Sequence, residues 1–395
     1  MKLSAFIVLA AGFCAASPVL ATDLGNCEDQ PNPIYVSGSS AIGNFIGNLT
    51  KPMKDQGYTL VYSKKGSCDG VNAIVSGVKL TGTLTVYDDD AKPTNTCTVA
   101  TDGGVAVDIG VSDVYAKTCL NADPPSTVGD FFGPIQAMLI VVPEASTQQA
   151  ITWEQVHMLF GYGAAAEVES FTDNNLIYHR NDKSGTQQMV SYASDLPASK
   201  WLTGTDNNGP FDAGGSSGVR DSVGSSTSPN AIGILGAEVY DLARDKLNSL
   251  AFKGKNQLFA FYADSTPTAT DKKNVRDGHY QIWGPLHLLA QVGSNGQPTN
   301  EKAKLFIDVV SGEQSLEGAN ILDTAITSGV VPSCAMTVQR SAEVGPISPY
   351  TPDEPCACYF EKNAGGSTSC ATCSGADGTA CSGGGICRRG YCEAN

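Results

Sequence analysis

Short apolar runs, each closed by a Ser- or Gly-rich turn and followed by apolar positions at helical spacing, recur along the chain. Ile34 to Ser37 reads as a strand, Ser39-Ser40 as the turn, and Ile42, Phe45, Ile46 and Leu49 fall on one helical face. The order returns with Thr59 to Ser63, then Gly66-Ser67-Cys68-Asp69-Gly70, then Val71, Ile74, Val75 and Val78. A third copy runs from Leu176 to Arg180, through Asp182-Lys183-Ser184-Gly185-Thr186, to Met189 and Tyr192. Strands alternating with helices predict an α/β fold. Ile135 to Val142 predicts a buried strand, and Thr152-Trp153-Glu154-Gln155 is a capping-box pattern opening a helix through Val156, Leu159 and Phe160 that ends at Gly161. Asn300 caps a helix carrying Ala303, Phe306, Ile307 and Val310, with Gly312 after it. Thr81 to Val105 differs: alternating Leu84 and Val86, then Asp88-Asp89-Asp90 and Pro93, predict a β-hairpin-like insertion with a solvated turn.

Composition sets the class. The chain has 395 residues with 41% apolar content, enough for two packed domains. Lys and Arg total 25 against 40 Asp and Glu, a formal net charge of −15, which argues against a nucleic-acid or anionic-lipid surface. Met1 to Ala21 reads as an export signal, with Lys2, an apolar stretch from Leu3 to Ala16, and a small-residue cleavage site ending at Ala21. Cys14 and Cys27 follow Phe13 and Asn26 rather than the small residue that usually precedes a lipid-modified cysteine. Without Cys14, 12 cysteines remain, an even number in an exported chain, so disulfides are the expected state. Seven crowd the segment Cys356 to Cys392, whose Gly- and Ser-rich spacers cannot build an apolar core. Pro346, Pro349, Pro352 and Pro355 mark a linker before it. The four His residues form no ligand spacing with one another, so no metal is expected.

The turns supply the candidate chemistry. Taken singly, Ser and Thr at these places cap helices. Three such turns together suggest convergence on one anion, because helix N-termini present free N–H groups and the positive end of the dipole. Small residues let backbone come close, and hydroxyls donate without adding charge, so an acidic protein can still bind an anion locally. Gly214-Gly215-Ser216-Ser217-Gly218 matches the G-x-S-x-G nucleophile pattern, but Asn207-Asn208-Gly209-Pro210 stands where an apolar strand should feed that turn. A hydrolase reading is therefore set aside, and no G-x-x-x-x-G-K-[ST] string supports nucleotide hydrolysis.

Arg180-Asn181-Asp182-Lys183-Ser184-Gly185-Thr186 resembles the R-x-D-x-S-G-T loop of the phosphate-binding proteins that serve bacterial ABC phosphate importers. Ser37-Gly38-Ser39-Ser40 resembles that family's first loop, Gly66-Ser67 its second, and Ile109-Gly110-Val111-Ser112-Asp113 its G-x-S-D segment, in the same order. Similarity continues through 134–143, 229–233 and 282–286 and spans roughly residues 34 to 330. The resemblance implies a two-lobed α/β periplasmic binding protein of type II with a hinge, followed by a small disulfide-rich tail. The expected organisation is a signal peptide over 1–21, a solute-binding domain over 22–345, a Pro-rich linker over 346–355 and a Cys-rich module over 356–395. Lobe I would comprise approximately 30–130 and 263–335, and lobe II approximately 131–262.

Carried over by position, Ser39, Ser40 and the Ala41 backbone would serve from the first loop and Ser67 from the second. Arg180, Ser184, Gly185 and Thr186 would serve from the third, with Asp113 as the acceptor. Arg suits a two-pronged charge-assisted contact, and neutral donors satisfy the remaining oxygens. A carboxylate among anion donors makes sense if the ligand carries a proton, as hydrogen phosphate does and sulfate does not. The implied partners are inorganic phosphate and the membrane subunits of an ABC importer, with an envelope partner for the tail. The protein is expected to be a monomer in the periplasm or envelope, without enzymatic activity, cofactor or nucleic-acid binding. A second reading keeps the scaffold as a surface adhesion or sensing protein with an altered or lost ligand. Departures from the family pattern are Ala41, Cys68-Asp69 after Ser67, and Lys183 where Gly is common. Asp69 puts a negative charge beside the site, and either Cys97 or Cys119 could staple the insertion to Cys68.

Overall fold

The computed structural model describes residues 21–89, 92, 95–205 and 208–394. The expected signal segment therefore lies outside the described residues except for Ala21, as does Asp90 of the hairpin turn. Strand Pro33–Gly38 sits centrally in the first lobe, pairing in parallel with Thr59–Ser63 and with Ile109–Ser112. Helices cover these strands, so they are buried on both faces and read as near-continuous apolar runs. The insertion forms the expected hairpin, Thr83–Val86 against Asn95–Thr98, and extends the sheet outward from Thr59–Ser63.

One strand joins the lobes. Val128–Pro143 is 16 residues long, well beyond the buried run expected from sequence, and its two halves serve different partners. Residues 128–137 pair antiparallel with Trp283–Gln291 in the first lobe, and 138–143 pair with Ile232–Gly236 and Leu247–Ser249 in the second. The chain returns at Ile282-Trp283, where Met138 N–H donates to the Ile282 carbonyl at 2.8 Å and the Tyr280 hydroxyl to the Met138 carbonyl at 2.6 Å. Two adjacent backbone crossings at one place make a hinge.

Two large cores support the lobes, and the second continues through the hinge to include Ile135, Ala137 and Trp283. Ile34, Phe45, Tyr62, Val111, Leu288 and Phe306 centre the first, and Leu139, Phe160, Ile177, Val190, Ile234 and Phe252 the second. Ala263, Val275 and Tyr280 pack in the second core, alongside Ile135, Ala137 and Trp283 of the hinge strands. Helix Trp153–Tyr162 carries the full capping box at Thr152 and Gln155, and runs on to Gly163 rather than stopping at Gly161. Helix Ser67–Val75 ends before Val78, which lies exposed beyond it.

Six disulfides bind the 12 cysteines among the described residues: Cys27–Cys97, Cys68–Cys119, Cys334–Cys356, Cys358–Cys370, Cys373–Cys387 and Cys381–Cys392. Cys119 is thus the partner of Cys68, while Cys97 staples the insertion to Cys27. The tail is disulfide-rich as expected, but its first segment departs from a coreless module. Helix Ala357–Gly365 docks on the body, with Cys356 and Phe360 inside the second core. Arg276 pairs with Glu361 at 3.1 Å, and the Tyr359 hydroxyl donates to Asp323 at 2.6 Å. No helix among the described residues is long and apolar enough to cross a membrane.

Candidate functional site

The loops at the carboxyl ends of the parallel strands converge where the lobes meet, the usual ligand position in open α/β sheets. The first loop leaves strand Pro33–Gly38 through Gly38, which holds φ +146°. A Cβ there would lie 1.8 Å from the Val111 carbonyl oxygen, the acceptor of the Ser39 N–H at 3.0 Å, so only glycine permits this approach. Ser39 then donates its hydroxyl to Asp113 Oδ2 and accepts from Ala41 N–H at 3.0 Å. The Ala41 N–H, expected to face a ligand, is therefore engaged by Ser39.

Asp113 follows strand Ile109–Ser112 and is 1% exposed. Ser67, at the start of helix Ser67–Val75, donates to Asp113 Oδ2 at 3.1 Å and accepts from Asp113 N–H at 3.1 Å. This reciprocal pair fixes the carboxylate, and its Oδ1 meets no protein donor although it is buried. Burial pushes the Asp113 carboxyl above the usual range, while Ser39, Ser67, Arg180 and His287 act against that rise.

Across the cleft, Arg180 follows strand Ile177–His179 and is also 1% exposed. Its backbone N–H donates to Gln187 Oε1 at 3.1 Å, and Gln187 Nε2 donates to the Ala198 carbonyl at 3.0 Å, which anchors the residue to helix Gly185–Ser194. Nη1 donates to both Ser40 Oγ and Ser216 Oγ at 3.1 Å, whereas Nε and Nη2 are buried without a protein partner. Burial lowers the guanidinium pKa, and Asp212 and Asp113 oppose that. Ser184 caps the helix by accepting from Gln187 N–H at 3.4 Å. Thr186 lies one residue into the helix, and its Oγ1 is buried without a partner. A Cβ on Gly185 would stand 2.2 Å from Ser67 Oγ and 2.7 Å from Asp113 Oδ2, so glycine lets the second lobe's loop seat directly on the first lobe's acid.

Ser216 is the site residue that sequence reasoning missed. It opens helix Ser216–Gly224 after strand Phe211–Asp212, and its Oγ lies 3.0 Å from Ser40 Oγ while both accept from Arg180. Its signal was the same strand, Gly-Ser turn and helix order as the other loops, hidden under the resemblance to a nucleophile motif. The two departures also find each other. Asp69 Oδ1 is 3.6 Å from Lys183 Nζ, and the Cys68 N–H donates to the Lys183 carbonyl at 3.0 Å, so Asp69 turns its charge on Lys183 of the opposite lobe.

Four buried polar atoms here thus have no protein partner: Arg180 Nε and Nη2, Thr186 Oγ1 and Asp113 Oδ1. Three can donate and one can accept, a set that matches an oxyanion carrying one proton. The fold can be compared directly. No family model and no curated protein matches this chain. A solved phosphate ABC transporter substrate-binding protein with bound phosphate from Clostridium perfringens superimposes with a TM-score of 0.50 at 15% identity, covering 76% of this chain and 99% of that one. The chain has the fold of the phosphate-binding proteins. An ABC-type phosphate transport receptor from Vibrio cholerae also matches, at a TM-score of 0.45 and 16% identity over 75% of this chain and 99% of its own. In this phosphate-binding-protein fold, the five loops described above, those of Ser40, Ser67, Asp113, Arg180 and Ser216, occupy the cleft between the lobes.

Proposed function

We propose that the protein captures inorganic phosphate between its lobes and delivers it to an ABC importer across the envelope to which it is exported. The observation that carries this reading is the pairing, from opposite lobes, of a buried guanidinium with two unpartnered nitrogens and a buried carboxylate with one unpartnered oxygen. Arg180 would take two phosphate oxygens, Thr186 a third, and Asp113 Oδ1 would accept the proton of hydrogen phosphate. Sulfate offers no such proton and would leave the carboxylate facing a like charge. A cleft emptied of its purpose has no need to keep these groups buried, because each unmatched polar atom costs about 1–3 kcal/mol. That cost favours ligand capture over an adhesion or sensing scaffold without a ligand.

Binding rather than catalysis fits the donor set, since Ser216 faces Ser40 and Arg180 rather than a histidine base. Charged hydrogen bonds contribute about 1.5–3 kcal/mol each, and micromolar affinity needs about 8 kcal/mol. Several contacts from both lobes are therefore required, which couples binding to closure about the hinge. Calorimetric titration of the mature protein and of Arg180→Ala with phosphate tests the reading. Affinity should fall at least about a hundredfold in the variant. Equal affinity in the two proteins would remove Arg180 from the site and the proposal with it.

A further inference from the structure

Between the body and the tail, residues 334–356 form a loop closed by the Cys334–Cys356 disulfide. Its second half is the Pro-rich stretch expected to be a linker, yet the loop is a built element. Val338–Gln339 pairs antiparallel with Ser348–Pro349, and the Tyr350 N–H donates to the Thr337 carbonyl at 2.9 Å. Val344 holds φ +51°, in the left-handed region that a β-branched residue avoids, so contacts elsewhere must keep the chain on this course.

The loop is anchored at three places. Beside the second core, the Thr337 N–H and hydroxyl both donate to the Arg276 carbonyl, at 3.0 and 2.9 Å, and Arg276 Nε donates to the Ala335 carbonyl at 3.0 Å. At the hinge, Arg340 Nη1 donates to the carbonyls of Gln281 and Trp283, at 2.9 and 3.3 Å, and its guanidinium lies 3.8 Å from the centre of the Trp283 ring. In the first lobe, the Tyr115 hydroxyl donates to the Arg340 carbonyl at 3.1 Å, and the Tyr115 N–H donates to Glu343 Oε1. Tyr115 stands two residues after Asp113, on the loop that carries the acid of the cleft. Burial lowers the Arg340 guanidinium pKa to about 10, with Tyr115 and Glu343 opposing that, so the cation persists at neutral pH.

Gln281 and Trp283 flank Ile282, whose carbonyl accepts from Met138 where the chain crosses between lobes. A hinge works by backbone rotation at a few residues, which changes the separation of the carbonyls on either side. One nitrogen bonded to both carbonyls resists that change. We propose that Arg340 is a positioning residue for capture, through which the loop 334–356 straps the hinge toward the closed arrangement and slows ligand release. The ligand in this inference rests on the phosphate reading above, while the strap can be read without any ligand.

Small-angle scattering of the ligand-free protein and stopped-flow release of phosphate, each compared with Arg340→Ala, test it. The variant should have a larger ligand-free radius of gyration and release phosphate about tenfold faster, the loss of one charged hydrogen-bonding group. Its phosphate-to-sulfate affinity ratio should stay within about twofold of the parent's, because no group facing the ligand has changed. Arg340→Lys keeps charge and donor but lacks the planar group on Trp283, and should fall between the two. Tyr115→Phe removes only the hydroxyl bond to Arg340 and should speed release in the same direction, which carries the test if Arg340→Ala does not fold. A parental radius and release rate in Arg340→Ala, even with a lowered thermal midpoint, would overturn the strap, as would an unchanged release rate in Tyr115→Phe should the alanine variant not fold. A changed phosphate-to-sulfate ratio would also overturn it, by placing Arg340 at the ligand. Absence of phosphate binding in the parent would overturn the phosphate reading alone, with the scattering comparison still deciding the strap.

Discussion

Asp69 and Lys183, each a departure from the pattern the loops otherwise follow, form an ion pair of 3.6 Å across the cleft. The extra negative charge beside the site is directed at a cation of the other lobe, beside the Cys68 N–H bond to the Lys183 carbonyl. The pair therefore favours the closed arrangement of the loops without touching the anion position. Its Lys side chain is 60% exposed, which limits its strength to about 0–1 kcal/mol in ordinary salt. Lys183→Ala should weaken phosphate binding by no more than about fivefold, with the deficit shrinking as ionic strength rises. Stopped-flow measurement of ligand release at low and high salt checks this, and a loss unaffected by salt would assign Lys183 another role.

Gly185 is required by contact between lobes rather than by its own backbone. An added methyl would meet Ser67 Oγ at 2.2 Å and Asp113 Oδ2 at 2.7 Å, both in the first lobe. Gly185→Ala should therefore oppose closure by about 1–3 kcal/mol, lowering affinity by roughly tenfold or more. The ligand-free protein can relieve the clash by opening, so its thermal midpoint should change little. Calorimetry and thermal denaturation of the same sample distinguish this from general destabilisation.

Asp113 links the site to pH. Burial raises its folded-state pKa, so its contribution to stability is fully present below the ordinary Asp value of about 3.9 and is lost as pH rises through the raised value. Asp113→Asn cannot ionise and escapes that loss. The variant's thermal midpoint, relative to the parent's, should rise by roughly a few degrees between pH 4 and pH 7.5 in the absence of ligand. A constant difference across that interval would mean that the carboxyl does not titrate there.

Much of this arrangement was legible because it depends on local chemistry. Strand, small-residue turn and helix start are adjacent in sequence, so Ser39, Ser67, Asp113, Arg180 and Ser184 could be placed on loops before any contact was known. Ser216 belonged to the same grammar, but G-x-S-x-G drew it toward another chemistry, and only its approach to Ser40 and Arg180 restores it to the cleft. Long-range relations were not readable. Cys68 had two candidate partners until helix packing brought Cys119 against it, and the continuous strand Val128–Pro143 was seen only where both its faces are apolar. The tail was expected to lack apolar packing because its own residues are small. Phe360 finds its core in the body instead.

The central claim is a cleft built for an anion that brings its own proton. Titration of the parent protein with phosphate and then sulfate near neutral pH tests it most directly. The account predicts micromolar or tighter phosphate binding, with sulfate at least about a hundredfold weaker because Asp113 Oδ1 finds no donor on it. Equal affinity for the two anions, or no heat from either in a folded sample, would contradict it.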